Sequence, residues 1–152
     1  MTVLEALQQA PLFKDFSEAG LQTFAQIAQG RMVPAGKPLF VEDTSGDSLF
    51  VVMAGSVRIT QRTAGGEREI ATLGPGEHLG DVALLAKTVR LVSAVAATDC
   101  EILELTRREF FKKAQEKPVT CLKLVAVIAG ELARRVTENK DALRDLGARK
   151  AQ

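Results

Sequence analysis

The stretch from Arg31 to Thr106 most restricts what this chain can become, because Gly, Pro or Asp cuts short every run of β-forming residues in it. Val33, Pro38 to Val41, Leu49 to Met53, Val57 to Thr60, Glu69 to Leu73, Ser93 to Ala97 and Glu101 to Leu105 read as strands. Between them stand the turn signals Pro34-Ala35-Gly36, Asp43 to Asp47, Ala54-Gly55, Ala64-Gly65-Gly66 and Gly74-Pro75-Gly76. Strands this short and this regularly interrupted imply an antiparallel sandwich, roll or barrel.

On either side the period becomes helical. From Thr2 to Gln29 apolar residues recur at three- and four-residue spacing, broken by Pro11 and by Ser17 to Gly20. This predicts two short helices, the second capped by Ser17. After Thr106 a brief helix is expected from Arg107 to Gln115, then a long one between Pro118 and Gly147, residues suited to a helix start and to the position past its end. It would run about 43 Å at 1.5 Å per residue. As a heptad it places Leu122, Ala129, Val136 and Leu143 at one seam position and Val125, Leu132, Asn139 and Leu146 at the other. The stripe is longer than a small roll can cover, and a single buried Asn fixes register in dimeric coiled coils, so the helix predicts a homodimer. The other use of the stripe is packing on the chain's own roll. The whole reads as one α+β, mainly β, domain: helices over 1–30, the roll over 31–106 and helices over 107–147.

Composition removes several functions. With 46% hydrophobic residues in 152, the chain can bury one core and is too short for two ordinary domains. Its 20 Lys and Arg against 19 Asp and Glu leave a net charge of +1, which gives no general pull toward nucleic acid or an acidic membrane. There is no Trp or Tyr to stack bases. Cys100 and Cys121 are the only cysteines, and neither a secretory leader nor an apolar run near ~20 residues is present, which points to the cytoplasm and away from membranes. A metal enzyme on a cupin-like roll usually needs two or three His, and this chain has one; Cys-x-x-Cys and Gly-x-Ser-x-Gly are also missing. No catalysis and no cofactor are expected.

The informative segment runs from His78 to Ala94. Gly80-Asp81 before the apolar run Val82-Ala83-Leu84-Leu85 reads as a tight turn opening one helical turn, whose free N–H groups attract an anion. Further on, Arg90 stands in an otherwise uncharged run that becomes a strand. A half-buried arginine there needs an anionic partner. Converging N–H donors and one guanidinium make a site for a single phosphate group. The alternative is an ordinary ion pair between Arg90 and Asp81.

Gly80-Asp81-Val82-Ala83-Leu84-Leu85, followed by Arg90 and Ser93-Ala94-Val95, is similar to the phosphate-binding cassette of cyclic-nucleotide-binding domains. Ala35 to Phe40, Gly46 to Val52, Gly55 to Ile59 and Leu73 to Gly76 resemble the β-roll glycines and strand starts of that family, in the same order. Pro11-Leu12-Phe13 and Leu132 to Val136 resemble the N-terminal helices and C-helix of its catabolite-activator branch. The resemblance covers nearly the whole chain. It implies that Arg90 binds the phosphate with backbone N–H groups near Ala83 and Leu84, and that Asp81, in place of the family's Glu, accepts the ribose hydroxyl. Val82 and Ala83 would line the ribose and phosphate, and Ile70, Leu73 and Val92 would touch the base. Asn139 or Lys140 falls where the activator branch touches the purine, and Arg135, one turn earlier, would pair with Asp81.

Three residues depart from the pattern. Val89 replaces a proline and lessens rigidity. Leu91 follows the arginine without the hydroxyl that would bond guanine or phosphate, which points to cyclic AMP over cyclic GMP. His78 replaces a Phe and reads as a solvated loop residue. The activator branch continues into a DNA-binding helix-turn-helix, whereas only Ala148 to Gln152 follow the long helix here, so no DNA partner is expected. The expected function is a cyclic-nucleotide sensor acting through contacts with its own dimer or with a protein partner the sequence does not name. The alternative is a dimeric scaffold that has lost its nucleotide, its cassette held by an Arg90–Asp81 pair.

Overall fold

A computed structural model of the chain describes residues 2–141 and 144. Helix α1 (Val3–Gln9) starts at a capping box in which the Thr2 hydroxyl accepts from the Glu5 N–H and the Glu5 carboxylate accepts from the Thr2 N–H. A 3-10 turn over Pro11–Phe13 leads to α2 (Glu18–Ala25), capped by Ser17 as the sequence predicts. The strands are β1 (Gln29–Val33), β2 (Pro38–Phe40), β3 (Ser45–Gly46), β4 (Ser48–Ala54), β5 (Val57–Thr63), β6 (Gly66–Leu73) and β7 (His78–Leu79). Helix α3 (Asp81–Leu85) separates these from β8 (Thr88–Val89), β9 (Ser93–Ala96) and β10 (Cys100–Thr106), and α4 (Arg107–Glu116) and α5 (Pro118–Glu138) follow.

Every strand pair described is antiparallel. Two sheets, ordered β1-β10-β4-β7 and β2-β9-β5-β6, face each other, with β3 and β8 forming a two-stranded ribbon beside them. This is the antiparallel roll the sequence predicts. It opens at Gln29, two residues earlier than expected. The sequence reading does not include β3, β7 or β8, because two residues are too few to display a period.

Two packed layers explain why β4 is buried from Ser48 to Met53. Its Leu49, Val51 and Met53 point toward the helices, beside Leu103 and Leu105 of β10, Phe24, Phe110, Leu124 and Ile128. Its Phe50 and Val52 point between the sheets, beside Val57, Ile59, Ala94, Cys100 and Ile102. Alternation along β4 and β10 therefore serves two cores at once. Each fully buried Leu, Val or Phe contributes about 1.5–3 kcal/mol.

Helix α5 is interrupted at Asn139, and helical backbone resumes at Lys140 and Asp141. Asn139 leaves helical geometry (φ −103°, ψ 23°) and its side-chain amide donates to the Arg135 carbonyl at 2.7 Å. The Arg135 carbonyl thus accepts from both the backbone N–H of Asn139, at 3.1 Å, and its side chain. Asn139 is exposed in the single chain. The seam is also divided: Val125 and Leu132 pack partly on the chain's own core, while Leu122, Ala129 and Val136 face outward. Leu143, Leu146 and Gly147 lie outside the described residues.

Candidate functional site

Strand β7 is held on β4, with Leu79 opposite Phe50 and His78 opposite Val51. Gly80 then turns the chain with a left-handed backbone (φ 83°, ψ 21°) that only glycine adopts without strain. A Cβ there would stand 2.6 Å from both Arg90 Nη1 and the Ser48 carbonyl oxygen, so a side chain is excluded by space as well. Helix α3 starts immediately. Its first N–H groups are bonded internally: Val82 N donates to Asp81 Oδ1 (3.1 Å) and Ala83 N to the Gly80 carbonyl (3.1 Å). The sequence reading expects free donors here. The Asp81 side chain and a tight first turn take them up instead.

Arg90 follows β8. Its backbone is fixed on both sides, the N–H donating to the Thr44 carbonyl and the carbonyl accepting from the Asp43 N–H, each at 2.8 Å. Its side chain folds inward and is 6% exposed. Nη2 donates to the Ser48 carbonyl at 3.0 Å, and Cζ lies 4.1 Å from the Phe40 ring centroid. Nε is buried without a hydrogen-bond partner. Burial pushes the guanidinium below its ordinary pKa, against the more distant charges of Asp47 and Glu104, and an arginine nonetheless stays protonated. Among the described residues no carboxylate lies within ion-pair distance of Arg90, so the Arg90–Asp81 pair of the alternative reading is not formed.

Asp81 is held from elsewhere. Its Oδ2 lies 3.5 Å from Arg135 Nη1 on α5 and 3.8 Å from His78 Nε2. Burial raises its pKa, but the neighbouring His78 imidazole, the Arg135 charge and the Val82 N–H outweigh this and hold the carboxyl below its ordinary value. His78 Nε2 also lies 3.0 Å from Glu131 Oε2. Burial lowers the pKa of the ring, but Asp81 and Glu131 raise it by more, and the net displacement is upward. The donor atoms of His78, Asp81 and Glu131 lie within 4.8 Å of one another. Arg135, 3.9 Å from Glu131 as well, already supplies the positive charge there, which makes the group an ion-pair network.

These residues border a cavity of about 340 Å³, within the range of small-molecule sites. Of the residues singled out in the sequence, Gly80, Asp81, Val82, Ala83, Arg90, Leu91, Val92 and Arg135 line it. Leu84 does not; it is fully buried in the helix-side core. Neither does Asn139 or its neighbour Lys140. Leu73 lines the cavity, whereas Ile70 is 42% exposed on β6. Leu91 stands at the mouth, 77% exposed.

The sequence reading missed four contributors. Phe40 forms the face beneath Arg90, Arg107 Nη1 donates to the Ala83 carbonyl at 2.9 Å to hold the end of α3, and His78 and Glu131 tie β7 to α5. Only His78 carried a signal, as the single histidine next to the turn glycine.

Residues 31–117 match the family model of the cyclic nucleotide-binding domain. The chain belongs to the cyclic-nucleotide-binding domain family. It is 35% identical over 127 residues to the cyclic AMP receptor protein of Thermus thermophilus, covering 83% of this chain and 59% of that protein. Its fold superposes on the crystal structure of the Thermus thermophilus catabolite activator protein with a TM-score of 0.78 at 34% identity, over 91% of this chain and 63% of the other. It is also 32% identical over 108 residues to the cGMP-dependent protein kinase isozyme 1 of Drosophila melanogaster, covering 68% of this chain and 14% of the kinase. The cyclic-nucleotide-binding chain thus spans less than two thirds of the curated relatives it matches. No described helix is long and apolar enough to cross a membrane.

Proposed function

We propose that the cavity binds a cyclic nucleotide, cyclic AMP in preference to cyclic GMP, and that the domain is a non-enzymatic sensor of it. The observation that carries this reading is Arg90: a buried guanidinium on the cavity wall, without a carboxylate partner among the described residues and with an unpartnered Nε. A buried cation left unpaired is costly, and an anionic ligand relieves that cost. Arg90 then meets the cyclic phosphate and Asp81 accepts the ribose hydroxyl, since a carboxylate has four lone-pair sites and Val82 and Arg135 use only two. Gly80, Val82, Ala83 and Leu84 shape the turn around ribose and phosphate, and Leu73 and Val92 face the base. Leu91 brings no hydroxyl for guanine, which favours cyclic AMP, the nucleotide named in the Thermus receptor.

The output follows from the Asp81–Arg135 contact. A nucleotide that engages Asp81 acts on the same carboxylate that holds α5, so occupancy is passed to the helix that carries Leu122, Ala129 and Val136 on its free face. A second copy of the chain covers that face in a homodimer, and further protein partners read the change. Two free, buried cysteines fit a reducing cytoplasm. Calorimetric titration with cyclic AMP and with cyclic GMP tests the reading: binding of the first, tighter than the second and lost in Arg90→Ala, is the expected result. Absence of heat with either nucleotide at millimolar concentration sinks it.

A further inference from the structure

We infer that His78 is a positioning residue for the ribose-binding carboxylate, bridging Asp81 on α3 to Glu131 on α5, so that its protonation sets both the hold of α5 on the cassette and the affinity for nucleotide. The inference rests on the proposed occupancy of the cavity for its second half only.

The geometry places one imidazole nitrogen between two carboxylates from different elements. His78 Nε2 is 3.0 Å from Glu131 Oε2 and 3.8 Å from Asp81 Oδ2, and the three side chains are only 11%, 19% and 7% exposed. Strand pairing to β4 fixes the backbone of His78 opposite Val51, which carries no charge. The groups facing the ring are therefore Asp81 from α3 and Glu131 and Arg135 from α5. Glu77, its neighbour in β7's approach, accepts from the Gly74 N–H instead.

Charge counting separates the two states of the ring. With His78 neutral, two carboxylates face one guanidinium, and a partly buried negative charge is left over. With His78 protonated, two anions face two cations, and the strap from β7 to α5 becomes charge-assisted. The raised pKa of the ring points the same way. A group whose native pKa is raised contributes fully below its unfolded value near 6.5 and loses that contribution as pH rises through the native value. Protonation also adds a positive charge to the cavity that Arg90 lines, which favours an anionic phosphodiester. Both effects tighten binding as pH falls toward 6.

His78 is the chain's only histidine, so one ring resonance reports it in the whole protein without assignment. The expected NMR titration midpoint lies above the ordinary histidine value and drops toward it in Glu131→Gln, which keeps the shape of the partner and removes its charge. Calorimetry with cyclic AMP is expected to give about threefold or more tighter binding near pH 6 than near pH 8.5, with the ratio falling to about one in His78→Phe and reduced in Glu131→Gln. A midpoint at or below the ordinary value overturns the strap. An unchanged pH ratio in both variants overturns the effect on affinity. Failure of the unmutated chain to bind at either pH overturns the nucleotide reading, and with it the effect on affinity, while the ring titration still decides the strap by itself.

Discussion

Gly46 leaves the space that Arg90 occupies: a Cβ on Gly46 would stand 2.5 Å from Arg90 Nε and 2.7 Å from its Cζ. The glycine pairs with Thr88 across the β3–β8 ribbon, two residues before Arg90, and its backbone is not in the left-handed region. Its missing side chain is thus a matter of room for the guanidinium. Gly46→Ala is expected to displace Arg90 and destabilise the domain by about 1–3 kcal/mol through overpacking. Cyclic AMP affinity should fall by about tenfold or more, since ~1.4 kcal/mol of lost contact suffices. Calorimetry and thermal melts check both; unchanged affinity would remove Arg90 from the site.

Arg90 itself separates binding from stability. Arg90→Ala is expected to weaken nucleotide binding by about 2–5 kcal/mol, the range for truncating one partner of a buried charged pair. Arg90→Lys keeps the charge, loses the planar fork and should recover little of it. Arg90→Met removes a buried cation that no carboxylate pairs, giving up one bond to Ser48 and the contact with Phe40. The melting temperature of the nucleotide-free protein should therefore stay level or rise while binding is lost. A steep drop in stability would make Arg90 a structural residue.

Asp81→Asn is expected to cost less affinity than Arg90→Ala, about 1–3 kcal/mol, because only a ribose hydroxyl loses a charged acceptor. The same variant has a pH signature. The native pKa of Asp81 is lowered from its ordinary 3.8, so its contribution to stability is present above that value and lost as pH falls through the lower native one. Stability followed by circular dichroism should fall more steeply with pH below 3.8 in the unmutated protein than in Asp81→Asn, whose acid limb should be flatter.

The roll was legible because turn residues mark nearly every strand end, and the cavity wall because Gly80, Asp81 and Arg90 stand at the spacing of the cassette with Lys87 the only other charged residue between them. The rest was hidden for physical reasons. His78 and Glu131 lie 53 residues apart in the chain, and only the packing of β7 against α5 brings them together. Phe40 reads as a strand core residue until Arg90 folds over its ring. Periodicity could not place an interruption of the long helix at Asn139, since no Gly or Pro stands there to mark it. The same periodicity put all seam residues on one face, while the chain's own core takes up Val125 and Leu132.

That division fixes the test of assembly. Leu132 packs against the chain's own core, so a charge there probes folding rather than association. Val119, Leu122 and Val136 are 80%, 66% and 57% exposed, with Ala126, Ala129 and Ala133 between them on the outward face. The proposed homodimer would cover this apolar stripe. Leu122→Asp with Val136→Asp is expected to convert a dimer to a monomer in sedimentation, because each charge would be buried unpaired at the seam. The monomer's own fold should change by only about 0.5 kcal/mol, as for substitutions at exposed positions. The unmutated protein should accordingly melt higher as its concentration rises, and the double variant should not. A dimer that survives both aspartates has its interface on another face.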